Sequence, residues 1–257
     1  MLTSKIAKGR KCSIVAIVKG TKSDAVIEHL FKIARKSRRQ GKEITVDMAG
    51  SMKLIAKRVF PNAVQVIDRF HVQKLATEAL QDIRIHHRWE AINLENDQLT
   101  EAKKNKQKTE VEVFENGDTR KQLLARCRYL LYKTREKWSI SQKQRAEILF
   151  LHYPDLEKAY SLSDELRRIY NQRIGKSVAT LKLAHWFKEV EESGFRSFSI
   201  VLKTFMLNYN HIINYFDQRS TNASADSFNA KIKNFRLQLR RVTDKTFFLF
   251  RLSKIFA

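Results

Sequence analysis

The sequence predicts an α/β layer interrupted by a long all-helical stretch. Three observations carry this. Short β-prone runs at Lys11–Lys19, Glu43–Asp47 and Ala63–Ile67 alternate with segments of helical periodicity, the signature of an α/β layer. The pattern changes after residue 86, and from Arg120 to about Asp217 every convincing segment is helical. Only 7 Gly and 2 Pro among 257 residues leave few natural breaks, which favours long helices over a many-turned β protein. The chain accordingly reads as residues 1–85, an α/β part; residues 86–217, an all-helical insertion; and residues 218–257, a last helical part.

Each element has its local reason. Lys11–Lys19 (KCSIVAIVK) is a nearly continuous apolar run, as expected of a strand buried on both faces. Ser23 or Asp24 can cap the helix that follows, with Val26, Ile27, Leu30 and Ile33 on one side. Glu43–Asp47 is the second strand, and the next helix runs to Phe60, where Pro61 stops it. Ala63–Ile67 is the third strand. Val72, Leu75, Ala79, Leu80 and Ile83 then recur at helical spacing. Ala102–Lys121, polar and carrying an ENGD turn, reads as a solvated helix end or mobile connection. Beyond it, Arg120–Trp138 and the Leu166–Phe187 region are helical, with Trp138 and Trp186 at core positions.

Charge narrows the function. Fifty Lys and Arg face 27 Asp and Glu, a net charge of +23 with a pI near 10.1. So large an excess calls for a polyanion, nucleic acid above all. No apolar run is long enough to span a bilayer and no signal peptide opens the chain, which disfavours a membrane partner and points to a bacterial-style cytoplasmic, nucleoid-associated protein. Cys12 and Cys127 make neither a disulfide framework nor a zinc site.

Three acids stand out: Asp47 and Asp68 at strand ends, and Asp226 in the first turn of a late helix. Such places are where an α/β sheet builds sites. Paired carboxylates there repel unless a cation joins them, and Mg2+ or Mn2+ suits oxygen ligands and phosphodiester chemistry. Along the same late helix, Phe228, Ile232, Phe235 and Leu239 form an apolar stripe. Asp226, Asn229, Lys233, Arg236 and Arg240 step along the opposite side. Residues 219–257 hold nine Lys and Arg against two acids, so Asn229, Lys231, Lys233, Arg236, Arg240 and Arg241 are read as phosphate contacts, which position DNA without reading its sequence.

Plainer readings stand beside these. Asp47 and Asp68 can each cap the helix that follows, and Asp226 is favoured near a helix N-terminus by the dipole alone. The cationic stripe can be a solvated face. His71 can be structural, and His86-His87 beside Trp89 is better placed on a helix surface than at a metal or a stacked base.

The segment ITVDMAGSMKLIAKRVFPNAVQVIDRFHVQKL, with STNASADSFNAKIKNFR far downstream, resembles DDE-type insertion-sequence transposases of the ISL-three group over essentially the whole chain. The resemblance implies an RNase H-like catalytic core with an incomplete sheet, interrupted by the helical insertion and completed by residues 218–257. It implies DNA strand cleavage and transfer with Mg2+ or Mn2+, water and then a DNA 3′-hydroxyl being the nucleophiles. Asp47 matches the second catalytic acid and Asp226 the third, both as metal ligands. Asp68 and His71 match an auxiliary Asp-x-x-His signature, with His71 at the active site. The family's first catalytic Asp belongs to a segment that would precede MLTSKIAKGRK. The sequence given lacks it, so the expectation is an N-terminally truncated transposase, or one with a misassigned start, of weak independent activity. The third acid is usually Glu; Asp at 226 shortens the reach by about 1.5 Å. Partners implied are the ends of the mobile element and its target DNA, a separately encoded end-binding protein, and further copies of the chain. Two alternatives stay open: a non-catalytic basic DNA-binding protein, and another RNase H-like nuclease.

Overall fold

The computed structural model describes residues 2–7, 14–18, 20–106, 111–238 and 244–256, without the side chains of residues 223–226, 253 and 256. The chain forms two compact units: Met1–His71 with Asn210–Ala257, and Val72–Tyr209. It is a mostly helical mixed fold.

In the first unit, β1 (Leu2–Thr3) pairs antiparallel with β2 (Ile14–Ala16). α1 (Ser23–Phe31) and α2 (Arg35–Arg39) follow. Then β3 (Glu43–Val46), α3 (Gly50–Val59) and β4 (Val64–Ile67) form a parallel crossover, with Glu43 opposite Val64 and Val46 opposite Ile67. Ile27 and Leu30 of α1 pack on Ile55 and Val59 of α3, and Leu2, Ala16 and Val18 close over them. α3 ends one residue before Phe60, ahead of Pro61, as expected. Val66 and Ile67 are fully buried, the pattern of a strand covered on both faces.

Three expectations change in this unit. Among the described residues the run at Lys11–Lys19 yields a three-residue strand whose Val15 is 45% exposed, where cover on both faces was expected; the described strands make two two-stranded sheets. Cys12 lies outside the described residues. The helix expected from Asp24 onward breaks at residues 32–34, because Arg38 turns back to donate from Nε to the Ile33 carbonyl at 2.9 Å and from Nη1 to the Val59 carbonyl at 3.3 Å. Neither Ser23 nor Asp24 caps α1; Lys22 holds that position without a side-chain bond.

α4 (Arg69–Lys104) runs 36 residues, and the boundary between the units falls inside it and inside α9 (Arg196–Ile213). The second unit is built from α4 beyond His71, α5 (Arg120–Arg126), two short 3-10 turns, α6 (Ile140–His152), α7 (Pro154–Asn171), α8 (Lys176–Ser193) and α9 to Tyr209. Val72, Ala76, Ala79 and Leu80 are the buried face of α4, while Leu75 and Ile83 are only half-buried. The expected helix Arg120–Trp138 is α5 followed by the 3-10 turns, and Leu166–Phe187 is divided between α7 and α8. Trp138 and Trp186 are core residues, each donating its indole N–H to a carbonyl at 2.8 Å, Leu130 and Leu162 respectively. A Ser139–Gln142 capping box opens α6 and Pro154 opens α7.

The ENGD segment is an ordered turn. Val113 bridges Thr119, Gly117 supplies the positive φ, and fully buried Asp118 lies between Arg126 and Arg145. His86 and Trp89 are exposed on α4. His87 Nε2 lies 2.5 Å from an Asp155 oxygen and its Nδ1 3.1 Å from Glu90, so both ring nitrogens already face carboxylates. No described helix is long and apolar enough to cross a membrane.

The first unit resumes at Asn210 and ends with α10 (Tyr215–Gln218), α11 (Ala223–Gln238) and α12 (Lys245–Phe256).

Candidate active site

Parallel pairing fixes the first half of the site. Val46 and Ile67 are the last paired residues of β3 and β4, and the Asp68 N–H donates back to the Val46 carbonyl at 3.4 Å. Asp47 and Asp68 therefore leave neighbouring strands at the same C-terminal edge, about 5 Å apart by the spacing of paired strands.

Their environments differ. Asp47 is half-buried, and its Oδ1 accepts the Ala49 N–H at 3.0 Å. That is a local turn bond to the N-cap residue of α3, which has no side-chain cap of its own. The other oxygen of Asp47 has no protein partner among the described residues. Asp68 is 3% exposed and both its oxygens are taken. Oδ1 accepts the Phe70 N–H at 2.8 Å, which caps α4, and Oδ2 accepts the Asn222 N–H. The cap reading of Asp68 thus accounts for one oxygen only.

His71 lies in the first turn of α4, its N–H donating to the Asp68 carbonyl at 3.1 Å and its ring 5.8 Å from that of Phe70. The imidazole itself has no hydrogen-bond partner among the described residues. Near the other side of β4, Asn214 donates from Nδ2 to the Gln65 carbonyl at 3.0 Å. Burial, then the neighbouring Lys53 ammonium, holds the His211 imidazole below its usual range.

Asn222 immediately precedes α11, and Asp226 stands in the first turn of that helix. The Asp226 side chain lies outside the described residues, as do Arg240, Arg241 and Leu239. Phe228, Ile232 and Phe235 are half-buried, with Phe235 stacked on Phe248 at 5.7 Å. Asn229, Lys231, Lys233 and Arg236 are exposed, and the Arg236 guanidinium lies 5.2 Å from the Phe248 ring centre. Among the described residues no three His, Cys, Asp or Glu side chains gather as a metal site.

The bond from the Asn222 backbone to Asp68 spans 154 positions and has no sequence signal, because any residue but proline supplies that donor.

A DDE-type family of the ISL3 group, described as Transposase, matches residues 2–252. No curated protein and no solved structure matches the chain. With nearly every residue covered by that family, from the strand-end acids to the basic late helix, the chain belongs to the DDE-type transposases of the ISL3 group.

Proposed function

We propose that this chain carries the metal-dependent strand-cleavage and strand-transfer chemistry of a DNA transposase acting on the ends of its own element. Asp47 and Asp226 are its metal ligands, in an RNase H-like core interrupted by helices. One observation supports this above the rest: the β3–α3–β4 unit delivers Asp47 and Asp68 to one sheet edge, and Asp68 is bonded to the residue preceding the helix of Asp226.

The donor set suits Mg2+ or Mn2+. Asp47 offers a carboxylate oxygen with no protein partner among the described residues, a hard donor of the kind these ions take. Asp68 is less suited as a ligand, since it is 3% exposed and each of its oxygens already accepts a backbone N–H. A divalent ion, when bound, stabilises charge developing at a phosphodiester and lowers the pKa of an attacking water. The protein's own contribution is positional. Asp47 and Asp226 place their oxygens, the free ring of His71 meets DNA beside them, and Lys231, Lys233 and Arg236 hold phosphates along α11. In the second step a DNA 3′-hydroxyl replaces water, and no covalent protein intermediate is required. End recognition belongs to a separate reader, and the working form is a homo-oligomer on paired ends.

Asp47→Ala tests the assignment on DNA bearing the element's ends, with Mn2+. The expected result is loss of cutting and joining, with DNA binding unchanged and still weakened by salt. Cutting retained by Asp47→Ala overturns the assignment. Salt-sensitive binding that does not depend on divalent metal, with no nicking under any condition, favours the second reading, a non-catalytic basic DNA-binding protein.

A further inference from the structure

Asp68 is an acid with two jobs at two distant points of the chain. Its carboxylate is almost wholly removed from solvent at the end of β4. One oxygen fixes the start of α4 through Phe70 N–H, and the other accepts the Asn222 N–H just before α11. A helix cap needs only the first of these bonds. The second ties the foot of α11 to the edge of the sheet that carries Asp47.

Asp226 is four residues beyond Asn222, about 6 Å along the helix axis at 1.5 Å per residue. The tie therefore acts one helical turn from that acid. The Asn222 donor is a backbone group, which cannot swing away as a side chain can, so the bond constrains the chain itself.

We infer that Asp68 is a positioning residue: its buried carboxylate sets where α11 begins, and through that where Asp226 stands relative to the β3–β4 edge. This rests on the reading of Asp47 and Asp226 as metal ligands. Asp68 touches neither metal nor DNA in this account.

Two substitutions isolate the tie. Asp68→Ala removes both bonds. Asn222→Pro removes the N–H donor, at the cost of fixing φ there, and leaves the α4 cap intact, which keeps the test informative if Asp68→Ala fails to fold. Asn222→Ala keeps the backbone donor and is the control. Two readouts are taken on the full chain well below each variant's melting temperature: Mn2+ binding by water-proton relaxation, and amide hydrogen exchange over residues 222–228.

Asp68→Ala and Asn222→Pro are expected to weaken Mn2+ binding by about 10- to 100-fold, the usual effect of losing an outer-shell support, and to speed exchange at the start of α11. Asn222→Ala should match the unaltered chain in both. Mn2+ binding and exchange unchanged in Asp68→Ala and Asn222→Pro would overturn the inference while leaving the metal assignment standing. If the unaltered chain binds no Mn2+, the metal assignment falls instead, and exchange alone decides the tie. Faster exchange in both variants upholds it, and unaltered exchange refutes it.

Discussion

A carboxylate with 3% of its surface exposed needs hydrogen-bond donors, because burying an unpaired charge is costly. Asp68 finds two backbone N–H groups, and Asp118 finds Arg126 and Arg145. Asp47 keeps partial exposure and one oxygen without a protein partner among the described residues. Cys127 is the opposite case. It is fully buried, and burial pushes its thiol up to about 12. At pH 8 the folded protein should leave Cys127 unmodified by iodoacetamide over times that fully alkylate it in urea, since only the thiolate reacts. Peptide mass spectrometry reads this residue separately from Cys12, and comparable labelling of Cys127 with and without urea would refute its burial. At this scale the sequence discloses residue types and strand-end positions. It does not disclose that Asp68 reaches Asn222 or that Asp118 sits between two arginines, because those partners depend on how distant segments come together.

The end of α3 was legible because Pro61 follows it. Pro154 opens α7 and Gly194 closes α8 with a left-handed φ of 70°, ends that chain chemistry also fixes but that were not among the expectations. Nothing lies within 4 Å of where a Cβ on Gly194 would stand, so Gly194→Ala suffers only the conformational penalty. That penalty should lower stability by about 1–2 kcal/mol, read from the urea midpoint; an unmoved midpoint would show that the cap is not under this constraint. Ends imposed by tertiary contact were not legible. The α1–α2 break holds no Gly or Pro and follows from Arg38 bonding two carbonyls. α4 outruns its apolar periodicity because nothing between His86 and Lys104 stops it, and its polar residues there are tolerated on a largely exposed surface.

Across the whole molecule, the parallel crossover and its two acidic ends were readable from apolar runs bounded by Asp47 and Asp68. The all-helical character of the middle was readable from its lack of β-prone runs. β2 is where burial departs from expectation: an apolar run predicts cover on both faces, yet Val15 is exposed. Among the described residues the strands form two two-stranded sheets, where an incomplete sheet was expected. The family match over residues 2–252 makes the chain a transposase, and the account of its chemistry rests on Asp47 and Asp226 sharing one cation. Iron-directed cleavage tests that most directly: Fe2+ takes the Mg2+ position, and ascorbate with peroxide generates radicals that cut the backbone nearest the ion. The account predicts two sets of cuts, one around Asp47 and one around Asp226, both suppressed by excess Mg2+. Cuts confined to one of these stretches, or absent from both, would contradict it.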